Sequence, residues 1–170
     1  MRLRNKIILA AVSMAAVFIA LYIVNFIMTP RWSFEVTTNK TVYSLGEDVQ
    51  ITVTLKNIGY VSSSFTAQVD NPILVSVEYT YPTSPTAKYQ VWYTPFQEIE
   101  TTFTVSPSQP LVRTYTWNQT NTQVPQFWNT TYKAGTCYIE AFIPKKGTGS
   151  WEWNMDALFR AWIYINVTET

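Results

Sequence analysis

The chain contains no histidine and a single cysteine, Cys137. It therefore lacks the commonest general base at neutral pH, the usual partner of a nucleophilic serine and the commonest protein ligand of zinc. One thiol holds no iron–sulfur cluster and closes no internal disulfide. Cys137 lies in the alternating stretch TCYIEAFI, in step with Ile139, Ala141 and Ile143, so a buried, inert thiol is expected. Carboxylates are what remains. Glu98 and Glu100, two apart on an extended segment, share one face; such a pair does acid–base work in a cleft and is merely solvated on a wet strand. Glu47 and Asp48 follow a glycine as calcium ligands often do, but the turn lacks the further oxygens that a site needs. With five glycines in all, there is no phosphate-cradling loop. No catalytic, cofactor or metal site is expected, and the chain is read as a non-enzyme.

Recognition chemistry is better supplied. Trp151 and Trp153 flank a glutamate in GTGSWEWNMD. On a strand both indoles face the core; in a loop they form an aromatic pair suited to a sugar ring or a partner protein. Four Asn-x-Ser/Thr sequons, at Asn39, Asn118, Asn129 and Asn166, are candidate N-glycosylation sites if the domain is displayed outside the cytoplasm. The net charge is +1, and no basic run is long enough to attract nucleic acid.

Address and anchorage come from the N-terminal segment. From Ile7 to Met28 no residue is charged, and only Ser13 and Asn25 are strongly polar. As a helix this run spans roughly 33 Å, which matches a bilayer core of about 30 Å. A cleaved secretory signal would have a shorter apolar region and a small-x-small cleavage site, whereas the outer end here, LYIVNFIMTP, is bulky. The organisation expected is a basic cytoplasmic stretch over 1–6, a transmembrane signal-anchor over 7–29 and an extracytoplasmic domain over 30–170. Arg2, Arg4 and Lys6 precede the span and Arg31 alone follows closely, which orients the N-terminus inward. Arg31 and Trp32 are the expected membrane-interface residues. The small-residue run AAVSMAA, with Ser13, and the more distant Asn25 give the helix a face able to approach another span.

Beyond Pro30 the apolar period becomes two. Val49, Ile51, Val53 and Leu55 alternate with Gln50, Thr52, Thr54 and Lys56, so one face is buried and the other wet. Similar runs at 33–38, 64–69, 73–80, 88–93, 99–105, 111–117, 136–143 and 158–167 are separated by Pro, Gly, Asn and Ser. Eight or nine short strands without a helical pattern between them predict an all-β, Ig-like antiparallel sandwich behind one N-terminal transmembrane helix. Phe159, Ala161, Ile163, Ile165 and Val167 point one way on the last strand, which is expected to form a central hairpin with the strand before it.

The sequence YSLGEDVQITVTLKNIG, followed by RTYTWNQTN and VPQFWNTTYKAGTCYIEAFI, resembles the BsuPI-type Ig-like domain. That family has a Y-x-x-G-E-x-V turn leading into an Asn-ended strand, then a Y-x-W-x-Q strand and a G-x-Y-x-I/V-x-A strand. The resemblance covers about residues 36–143 and implies a sandwich in which Gly46 permits a turn, Trp117 fills the core and Gly135 relieves the entry into a strand. In architecture the chain also resembles small archaeal proteins that join one N-terminal helix to an Ig-like domain near the cell-surface layer, archaellum stator subunits among them. Two function classes follow. One is a structural or interaction subunit of a membrane or cell-surface assembly, with the bilayer and other surface proteins as partners. The other is a ligand-binding or protease-inhibitory module acting on an extracellular glycan or protease. A pilin-like filament subunit is a further alternative, although RLRNKIILAA has no clear processing point.

Overall fold

The computed structural model describes residues 3–67, 69–80, 88–97, 99–119, 134–144 and 157–169. A single helix, α1 (Leu3–Met28), precedes ten strands: β1 (Trp32–Thr38), β2 (Val42–Ser44), β3 (Val49–Asn57), β4 (Ser63–Ala67), β5 (Leu74–Thr80), β6 (Lys88–Tyr93), β7 (Thr101–Val105), β8 (Leu111–Trp117), β9 (Gly135–Pro144) and β10 (Ala157–Thr168). One sheet has the order β1-β3-β8 and another β2-β10-β9-β5-β6, while β4 and β7 form a two-stranded ribbon. Ile8–Met28 is long and apolar enough to cross a membrane, and none of it is buried against the sandwich.

The alternation read from the sequence has the expected outcome. Val49, Ile51, Val53 and Leu55 of β3 are fully buried, as are Cys137, Ile139, Ala141 and Ile143 of β9. Together with Val75 and Val77 of β5, Trp117 of β8 and Ile165 and Val167 of β10 they make one continuous core. Each fully buried aliphatic side chain stabilises the fold by about 1.5–3 kcal/mol. The expected hairpin is present, with β10 antiparallel to β9 and β9 at the middle of the five-stranded sheet.

One strand was not legible as a strand. β2 is three residues long, too short to show a period, and it pairs in parallel with the far end of β10 through Asn166↔Val42 and Thr168↔Ser44. It runs straight into the turn Ser44–Glu47, in which Gly46 has φ +83, the left-handed region that glycine enters without a Cβ penalty. Gln119 closes this turn from 73 residues away. Its Oε1 accepts the Gly46 N–H at 2.8 Å, and its Nε2 donates to the Ser44 and Glu47 carbonyls at 2.9 and 2.7 Å. Gln119 is itself buried and left-handed, with φ 57.

Gly135 plays a different part from the turn role that resemblance implied. A Cβ there would lie 2.6–2.9 Å from the ring and hydroxyl of Tyr79, whose hydroxyl donates to the Ala134 carbonyl at 3.0 Å. Close packing against a buried tyrosine, rather than backbone conformation, is what demands glycine.

Removing the buried Gln119 amide takes its hydrogen bonds from three main-chain groups of a partly exposed turn. Gln119→Ala is expected to lower unfolding stability by about 2–3 kcal/mol, with Gln109→Ala, at an exposed position, as the neutral control. Denaturant unfolding followed by circular dichroism checks this, and equal midpoints for the two variants would contradict it.

Candidate functional site

The five-stranded sheet has an outer face that the core does not cover. On β10, Ile163 and Ile165 point inward, so Leu158, Arg160, Trp162, Tyr164 and Asn166 point outward. Register places Trp162 beside Glu140 and Tyr164 beside Tyr138, with Ser76 and Glu78 of β5 on the far side of β9 in the same two rows. Trp162 and Tyr164 are each 57% exposed, a large apolar presentation for neighbouring positions on one strand face. The Tyr138 and Tyr164 rings, directly opposite each other, lie 5.2 Å apart and tilted by 54°. Arg160 bonds Glu140 at 2.5 Å, and its guanidinium lies 5.8 Å from the Phe142 ring centre. The result is a flat aromatic platform bordered by one bonded ion pair and the Glu78 carboxylate. It offers stacking area and a few fixed polar groups.

Along its outer edge β10 pairs with β2 only from Asn166 to Thr168. Among the described residues no strand pairs with that edge between Ala157 and Ile165. A strand stretch without a paired neighbour can receive another strand.

The sequons that can be placed lie at one end of the sandwich. Asn39 follows β1, Asn118 follows β8, and Asn166 sits on β10 opposite Thr136, all at the end remote from α1, and all three are exposed. Asn39 Oδ1 accepts from the Tyr43 hydroxyl at 2.5 Å, and Asn166 Oδ1 from Thr136 at 3.1 Å. Asn166 also borders the aromatic platform. Asn129, Trp151 and Trp153 lie outside the described residues.

On α1, Ser13 is exposed, and the main-chain carbonyl of exposed Asn25 accepts both the N–H and the hydroxyl of Thr29, at 2.9 and 2.6 Å. Arg31 places its guanidinium 3.9 Å from the centre of the Phe26 ring. Trp32 is half-buried, its ring 5.5 Å from Phe159 and 6.1 Å from Phe65 in an aromatic cluster that closes the helix end of the core. Of the carboxylates, Glu47 is committed to Lys40 and to the Ser44 N–H, and these two bonds, Lys40 foremost, hold its acid strength above the ordinary. Glu98 lies outside the described residues, and Glu100 is exposed just before β7.

Sequence reasoning missed Trp162 and Tyr164 although the signal was there. Once Ala161, Ile163 and Ile165 are assigned inward, the alternate residues of a solvated strand should be polar, and here two of them are aromatic.

No family model and no curated protein matches the chain. Solved structures do. It superimposes over 82% of its length on 16% of a β-glucosidase from Erythrobacter marinus, at 9% identity and TM-score 0.50. A mutant β-glucosidase from Listeria innocua, solved with laminaribiose, is matched over 83% of this chain and 17% of that one, at 11% identity and TM-score 0.48. The CARDB domain of a Pyrococcus furiosus protein, solved with di-metal ions, is matched over 83% of this chain and 90% of that one, at 16% identity and TM-score 0.41. The likeness to the first is one of fold alone, and the chain spans only a small part of either enzyme.

Burial within the platform, with Glu140, Tyr164 and Glu78 adding negative charge nearby, pushes the Tyr138 phenol up to about 12 from 10.0. Below the unfolded value both states keep the proton and stability is unaffected. Between the two values the unfolded chain loses the proton while the folded chain keeps it, so stability falls as pH rises through that window. Tyr138→Phe should make this alkaline decline shallower and remove a late-titrating phenol from the ultraviolet difference spectrum. An unchanged titration curve would refute the assignment.

Proposed function

We propose that this chain is a membrane-anchored interaction module. In this reading α1 holds it in a bilayer, Arg2, Arg4 and Lys6 keep the N-terminus cytoplasmic, and the sandwich is displayed on the other side. The outer face of β9 and β10 then engages another subunit of a membrane or cell-surface assembly. One observation carries the reading: Trp162 and Tyr164 lie exposed side by side on β10, whereas β3 and β9 bury their alternate apolar residues completely. Interface cores favour such aromatic anchors, and the stretch of β10 that no described strand pairs with adds main-chain bonding capacity to the same surface.

The finer kinship belongs to the same proposal. The BsuPI-type reading is supported by contacts between its separate motif pieces, since Gln119 of the Y-x-W-x-Q strand bonds the Gly46 turn. The archaeal cell-surface reading is supported by the order of helix and sandwich and by the exposed sequons Asn39, Asn118 and Asn166 at the end remote from the helix. A second reading uses the same platform: exposed aromatic rings beside Glu78 and Glu140 also suit a sugar ring, making the module a glycan binder.

A photo-crosslinking residue at position 162, introduced in the native source, separates the two. The interaction reading expects one defined protein adduct, lost in the Tyr164→Ala background, and co-purification of that partner in fixed ratio from mild detergent. Glycan binding by the isolated protein with no protein adduct would favour the second reading. Glycopeptide mass spectrometry of the native chain tests display, and unoccupied Asn39, Asn118 and Asn166 would count against it.

A further inference from the structure

The junction between helix and sandwich is short. Helical hydrogen bonding runs through Thr29, whose N–H donates to the Asn25 carbonyl at 2.9 Å. Sheet-type bonding begins at Arg31, whose carbonyl accepts the Ile58 N–H at 2.8 Å and so extends the β1–β3 ladder by one residue. Only Pro30, with φ locked by its ring, lies between the two. One residue of linker keeps the Arg31 end of the sandwich beside the end of the helix.

The loop that follows β3 is held at this same junction. Asn57, 3% exposed, accepts the Gly59 N–H at 2.9 Å and donates to the Val61 and Val105 carbonyls at 2.7 and 3.0 Å. A Cβ on Gly59 would meet the Arg31 nitrogen at 3.4 Å and the Thr29 carbonyl at 3.5 Å, so the loop lies directly against the linker. A loop this firmly tied presents its two largest apolar side chains outward: Ile58 is 58% and Tyr60 63% exposed. The Tyr60 ring lies 5.9 Å from Phe26, which is inside the apolar span, and Arg31 stacks on the same Phe26 ring.

We propose that the β3–β4 loop is a membrane-seating element, with Ile58 and Tyr60 entering the interfacial layer of the bilayer that α1 crosses. This rests on the anchor reading above and goes beyond it, since an anchor alone leaves the domain free to tilt. The depth follows from contact: where Phe26 is at the edge of the hydrocarbon, Tyr60 beside it is at the headgroups, the position that an amphipathic phenol prefers. Arg31 places a positive charge at the same level, suited to lipid phosphate. Asn57 supplies the rigidity that keeps an otherwise costly apolar exposure in place.

The full chain in phosphatidylcholine–phosphatidylglycerol vesicles provides the test. In the Cys137→Ala background, single spin labels are placed through Ile58→Cys, Tyr60→Cys, Val42→Cys and Phe18→Cys, and circular dichroism confirms the fold of each. Accessibility to oxygen against a water-soluble nickel chelate then reports depth. Labels at 58 and 60 should read within about 5–10 Å of the headgroup boundary, the label at 42 should read as aqueous, and the label at 18 as deep. If 58 and 60 are as aqueous as 42 while 18 is deep, the seating loop is wrong and the anchor stands. If 18 is aqueous as well, the anchor reading fails and takes the seating loop with it.

Discussion

Two strands with strict alternation, β3 and β9, can hide Val49, Ile51, Val53 and Leu55 and the set Cys137, Ile139, Ala141 and Ile143 only within one shared core. This burial constraint decides most of what the surface shows. With β9 in the middle of its sheet, β10 must follow its register, and every second residue of β10 is turned outward. The aromatic platform is thus a consequence of core packing as much as a separate feature. Its composition is not. Packing requires that something face out at positions 162 and 164, and says nothing in favour of tryptophan and tyrosine there.

Both ends of the sandwich are closed by a buried amide. Asn57 and Gln119 each make three hydrogen bonds to main-chain groups, so neither leaves polar atoms stranded in the interior. Their consequences are opposite in chemistry. At the helix end a rigid loop displays Ile58 and Tyr60, whereas the far end displays Asn39, Asn118 and Asn166. An apolar end beside an apolar helix and a polar, sequon-bearing end remote from it form a consistent axis. The aromatic platform runs along the side between them.

Much of the fold was legible, for a physical reason that differs by element. The helix and the strands of β3, β9 and β10 have periods long enough to identify from local sequence. The boundaries of β4 and β7 shifted by one or two residues because their ends depend on the partner they pair with. β2 escaped notice because three residues carry no period and its partner lies more than 120 residues away. Gly46 was read correctly as a turn former, but its lock, Gln119, was visible only as one letter of a motif. Gly135 was assigned the wrong reason, because a backbone explanation is local and the ring of Tyr79 is not.

What the sequence by itself determined is therefore what local chemistry can encode: a span-length apolar helix, alternating strands, a core built from them and a chain without histidine. Tertiary structure alone decided which outward residues are neighbours. It joined Trp162 and Tyr164 to Tyr138 and Glu140, brought Gln119 to Gly46, and set Tyr60 against Phe26. These groupings come from register between strands and from the single residue separating helix and sheet, and such long-range geometry has no signature in the spacing of residues along the chain.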